Sequence, residues 1–142
     1  MYPYQMAYQI ELSINLNKVT NLNEIKKLLV VKAEECKVED YYTMYEHFGK
    51  NRTVYRNHCV LTFLFTENDE LLAEFIKYSK KIKNISIESV GLDKGLFKLI
   101  YASKKYLNMM EKEHVEKYIN LRRQNKLYKQ DSIIFKTILK KN

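Results

Sequence analysis

The chain has 142 residues, 46% of them hydrophobic and 30% charged, which suits one globular domain with a single core of two packed layers. No apolar run approaches the ~20 residues of a membrane helix, and Met1-Tyr2-Pro3-Tyr4 lacks a charged leader followed by an apolar core; a soluble, intracellular, non-secreted protein is therefore expected. The net charge of +8 is uneven: residues 103–142 hold eleven Lys/Arg against four Asp/Glu, an excess of +7 that leaves +1 for residues 1–102.

Taken in order, Tyr8 to Leu16 alternates, with Ile10, Leu12, Ile14 and Leu16 on one face and Gln9, Glu11, Ser13 and Asn15 on the other, the pattern of a half-buried strand. Asn21 with Glu24 reads as a capping box for a helix whose stripe is Leu22, Ile25, Leu28, Leu29, Ala33 and Cys36. Asp40 to Phe48 is rich in β-formers, and Gly49-Lys50-Asn51 is expected to turn the chain into a central strand over roughly Val54 to Phe65. Within that strand Cys59, Leu61, Phe63 and Phe65 share one face and His58, Val60, Thr62 and Leu64 the other. Thr66 and Asp69 predict the start of a second helix with Leu71, Leu72, Phe75, Ile76 and Ile82 inward. Ile85 to Glu88 reads as a strand, Gly91 and Gly95 as a loop, and Leu96 to Ala102 as a strand or the start of a helix. Helical spacing resumes beyond Met110, with a last helix from Asp131 through Ile134 and Ile138.

The order β-α-β-β-α-β, with its first and third strands the most regular in pattern, predicts an α+β fold of ferredoxin-like arrangement: an antiparallel sheet with additional C-terminal helices. Residues 1–110 form the expected domain and 111–142 a basic helical extension, packed on that domain or pairing with a second copy through its helices. Cys36 and Cys59 fall on a helix and a strand without a CxxC spacing, so both are expected to be reduced and buried.

The basic excess suggests a polyanion partner, with Lys104, Lys105, Arg122, Arg123, Lys126 and Lys129 as candidate nucleic-acid contacts; a solvated lysine-rich face is the alternative. Only four of the twenty-five cations are Arg, which disfavours sequence-specific base reading by bidentate contacts. The exposed face of the sheet offers no aromatic platform on its first and third strands, and no GxxxxGK loop occurs. It does offer acids and a histidine. Glu46 and His58, brought to one face across a hairpin, would pair a carboxylate with an imidazole on a divalent metal, although a lone histidine at a strand start also serves as a surface or hydrogen-bonded residue.

Several short motifs stand in a recognisable order: Leu12-Ser13-Ile14-Asn15-Leu16-Asn17, Glu46, His58-Cys59-Val60, and Tyr101-Ala102-Ser103-Lys104. In these the chain resembles the nuclease domain of the rolling-circle replication initiators (Rep proteins) of circovirus-like single-stranded DNA viruses and plasmids, members of the HUH endonuclease superfamily. Val60 departs from it, standing where that family has a second metal-binding His or Gln. The resemblance implies single-stranded DNA as partner, a host cell's cytoplasm or nucleus as location, and Mg or Mn held by Glu46 and His58. It also implies Tyr101 as the nucleophile that nicks and rejoins DNA, and Lys104 as a positive charge at the same phosphate. Two alternatives stand beside it. Tyr101 can instead be an amphipathic tyrosine packing on the sheet. The whole chain can be a descendant that has lost metal binding and serves as a nucleic-acid-binding or structural protein.

Overall fold

A computed structural model of the chain describes residues 7–36, 38–44, 57–66, 68–93, 97–109, 116 and 133–140. In chain order these form β1 (Ala7–Asn15), α1 (Leu22–Glu35), β2 (Val38–Met44), β3 (His58–Thr66), α2 (Asp69–Ser79), β4 (Ile85–Asp93), β5 (Phe97–Ala102), α3 (Lys104–Met109) and α4 (Ile133–Leu139). The fold is a mixed α+β one. Five strands make a single sheet in the order β2-β3-β1-β4-β5, and every neighbouring pair is antiparallel.

The period-two pattern of β1 and β3 decides the layering. Ile10, Leu12 and Ile14 lie opposite Phe63, Leu61 and Cys59, and these residues form one buried cluster with Ile25 and Leu29 of α1 and Leu72, Phe75 and Ile76 of α2. Phe75 sets its ring against Phe63 and Phe65 at centroid distances of 4.9 and 5.2 Å. Ile134 and Ile138 of α4 join the same cluster, so α1, α2 and α4 all cover one face of the sheet. Lys80 Nζ, at the end of α2, donates to the Thr137 and Ile138 carbonyls at 3.0 Å and to that of Lys140, closing the C-terminal turn of α4 with a positive charge. Cys36 and Cys59 are buried free thiols. Among the described residues no helix is long and apolar enough to cross a membrane.

Several local expectations are corrected. Asn21 makes no side-chain cap; α2 is capped by Asn68, whose side chain accepts from the Leu71 amide at 3.1 Å, rather than by Thr66, the last residue of β3. Gly91 lies inside β4, opposite Gln9 on one side and Leu99 on the other, where a residue without a side chain lets three strands approach. The strand therefore runs through to Asp93 instead of ending near Glu88. Of the two readings offered for Leu96 to Ala102 the strand holds, over Phe97–Ala102, and α3 follows from Lys104. β3 runs from His58 to Thr66 and β2 is described as far as Met44; the expected turn Gly49-Lys50-Asn51 and the expected strand start near Val54 lie outside the described residues.

Candidate nucleic-acid interface

The second face of the sheet is polar and largely closed. Glu11 of β1 lies opposite Thr62 of β3 and Ser89 of β4, and the pairing then steps from Glu11–Ser89 to Leu12–Ile87, leaving Glu88 as an extra residue. Such a bulge re-aims a side chain. Here Glu88 is only 1% exposed, and its carboxylate accepts from the Ser13 hydroxyl at 2.7 Å and the Ser103 hydroxyl at 2.6 Å. The Ser103 amide donates to the Glu88 carbonyl at 2.8 Å, and the Ser103 hydroxyl also accepts from the Tyr106 amide at 3.1 Å, which fixes the entry into α3.

Glu11 is 5% exposed, and among the described residues one of its carboxylate oxygens has no hydrogen-bond partner; neither has the hydroxyl of fully buried Thr62. Burial, above all, pushes the Glu11 carboxyl up to about 7, with Glu88 adding to it and the Ser89 and Gln9 side chains pulling the other way. Burial also raises the Tyr106 phenol to about 12, with the Glu11 charge adding, so this tyrosine is a protonated hydroxyl at neutral pH.

At the end of this face the character changes from acidic to basic. Asn57 and Asn84 hold φ of 62° and 68°, in the left-handed region that asparagine tolerates better than most residues. The turns they occupy pin the end of β1: the Leu16 amide donates to the Asn57 carbonyl at 2.8 Å and the Asn15 amide to the Asn84 carbonyl at 3.3 Å. Between them opens a hollow of about 310 Å³ lined by Ser13, Asn15, Lys18, His58, Asn84, Ile85, Ser86 and Lys105. Lys105 Nζ lies 3.2 Å from His58 Nε2. An ammonium can only donate in such a contact.

The sequence candidates separate. His58 and Lys105 meet in this hollow, and Lys104 is exposed beside them at the start of α3. Tyr101 lies opposite Val90, a core residue, and packs half-buried against the helix-covered side. His58 lies opposite Asn15 on the polar side. Paired antiparallel residues share a face, so the two candidates stand on opposite faces of the sheet. Glu46, Arg122, Arg123, Lys126 and Lys129 lie outside the described residues.

Among the described residues His58 Nε2 faces an ammonium, Val60 two residues on is a buried hydrocarbon, and no group of three His, Cys, Asp or Glu side chains suited to a metal occurs; Glu46, the second expected ligand, lies outside them. Lys18, Asn84 and Ser86 were not singled out from the sequence. The one available signal was Lys83-Asn84, a polar pair between a helix and a strand, which marks a turn without saying what it faces. Comparisons with protein-family models, with curated proteins and with solved structures find no match to this chain.

Proposed function

We propose that this chain is a non-catalytic single-stranded nucleic-acid-binding protein on a ferredoxin-like α+β scaffold, of Rep-like descent, which holds the phosphate backbone at the basic end of its sheet. The observation that carries this is the hollow in which Lys18, His58 and Lys105 converge with no carboxylate among its described lining residues, while Glu11 and Glu88 of the same face are buried. Lys104 extends the positive surface, and the strand order β2-β3-β1-β4 with two helices on one face is the arrangement expected of that scaffold. Descent from a Rep-like nickase rests on the order of the sequence motifs alone. The pairing of Tyr101 with the core residue Val90, and of His58 with Asn15 on the polar face, supports the non-catalytic reading, although Tyr101 lines a cavity with Ser86 and Lys105, which also line the His58 hollow.

The test is fluorescence anisotropy with a labelled single-stranded random pool over a series of salt concentrations. Binding is expected, with log K falling linearly in log salt by about 0.7 per phosphate neutralised, and with a smaller slope for the double variant Lys104→Gln, Lys105→Gln. A wild-type slope near zero would discard nucleic-acid binding. Incubation of the same pool with Mn²⁺ or Mg²⁺ is expected to give no covalent adduct. An adduct abolished by Tyr101→Phe would restore the nicking activity instead.

A further inference from the structure

Resting on the nucleic-acid reading above, we infer that the hollow between Lys18, His58 and Lys105 is a pocket for a phosphate monoester, the terminal phosphate of a strand. Three features of the hollow select this ligand. None of its described lining residues is aromatic, so these offer no platform on which a base could stack, and the part of a nucleotide they can recognise is the phosphate. Its volume of about 310 Å³ takes a phosphate and the adjoining sugar but not a run of nucleotides, which suits an end better than a passing backbone. Its polar groups match a dianion. Lys18, in the turn after β1, and Lys105 of α3 bring two ammonium groups, and Asn15, Asn84 and Ser86 add amide and hydroxyl donors. A monoester carries close to two negative charges at neutral pH and three free oxygens, whereas a backbone diester carries one charge and two.

The site is also pre-organised. The turns at Asn57 and Asn84 fix the end of β1, and Lys105 is held at 3.2 Å from His58, so little ordering is left to binding. Ser13 links the hollow to the interior, since its hydroxyl is committed to the buried Glu88 carboxylate, which lies outside the lining. That bond keeps the one nearby acid of β4 turned away from an incoming anion.

The experiment compares four probes on the full chain: a fluorescent octanucleotide with 5′-hydroxyl and 3′-hydroxyl ends, the same strand with a 5′-phosphate, the same strand with a 3′-phosphate, and a nucleoside monophosphate. The imidazole resonances of His58 report occupancy of the hollow. One of the two phosphorylated strands is expected to bind about tenfold more tightly than the hydroxyl-ended strand, with a shift at His58 that the hydroxyl-ended strand does not produce. Lys18→Met and Lys105→Met should each abolish the difference between the two strands. Equal affinity of all three strands, or a difference that survives both variants, overturns the end pocket while leaving nucleic-acid binding in place. A nucleoside monophosphate that shifts His58 while no strand binds keeps the phosphate pocket and overturns the nucleic-acid reading. If no probe binds and His58 does not move, both fall.

Discussion

Glu11 shows how a residue can be placed correctly from its pattern and still be misjudged in its environment. The alternation of β1 puts it on the polar face, where a solvated carboxylate is the ordinary outcome; instead the Glu88 bulge, Thr62 and Tyr106 enclose it, and its folded-state carboxyl titrates at about 7. The unfolded chain releases that proton near 4.5, so between these values the folded protein holds the extra proton. Stability is therefore highest below pH about 4.5 in this respect and falls as pH rises through about 7, by on the order of 3 kcal/mol in total. Glu11→Gln should flatten that part of the profile and make the protein more stable than wild type at pH 8, which urea denaturation at pH 5 and pH 8 would measure. A variant losing stability equally at both pH values would show that the carboxyl is not the titrating group. Ser13→Ala tests the neighbouring acid: Glu88 keeps Ser103 but loses a buried charge-assisted bond, and a destabilisation of about 1.5–3 kcal/mol is expected by the same measurement.

Helices and strands were legible where burial imposes a period. The stripe Ile25, Leu29, Ala33 and the alternations of β1 and β3 are consequences of one covered face, so they survive in the sequence. Caps and strand ends were less legible because neighbouring residues offer equivalent chemistry. Asn68, one residue before Asp69, competes with Thr66 for the same role, and only the extended backbone of Asn68, at φ −142° and ψ 104°, settles it. Gly91 is ambiguous in the same way, since a glycine marks either a loop or a close approach of strands. The two asparagines give a paired expectation for calorimetric melting. Asn68→Ala should cost about 1 kcal/mol through the lost bond to the Leu71 amide, and Asn21→Ala, whose side chain caps nothing, should cost much less. Equal losses would mean that the cap bond is not what Asn68 contributes. Farther still from the sequence is Lys80, which meets the carbonyls of a helix almost sixty positions away; no local pattern encodes that partner.

Across the whole chain, charge and core are interleaved in the C-terminal region, and this determines how its basic excess can be tested. The +7 of residues 103–142 invites deletion of the tail, yet α4 places Ile134 and Ile138 in the central cluster, at 2% and 8% exposure, and buries Phe135 at 3%. Removing large buried side chains costs about 2–5 kcal/mol each, against a total stability of about 5–15 kcal/mol for a domain. Deleting Gln124 to Asn142 should therefore unfold the protein or strip its cooperative melt, and any loss of DNA binding would follow from that collapse. The informative change removes charge and keeps the helix. Lys136 and Lys140 are exposed on α4 and beyond its end, so Lys136→Gln with Lys140→Gln leaves the apolar stripe intact. Burial, and after it the like charge of Lys140, holds the Lys80 ammonium below its usual range, so loss of Lys140 relieves the smaller of the two causes. The double variant should melt within a few degrees of wild type by circular dichroism. If the tail contacts the strand, its salt slope for single-stranded DNA should fall by about 0.7 for each phosphate contact removed. A folded variant with an unchanged slope would confine binding to the sheet end around Lys18, Lys104 and Lys105, and would make the lysines of α4 a solvated surface.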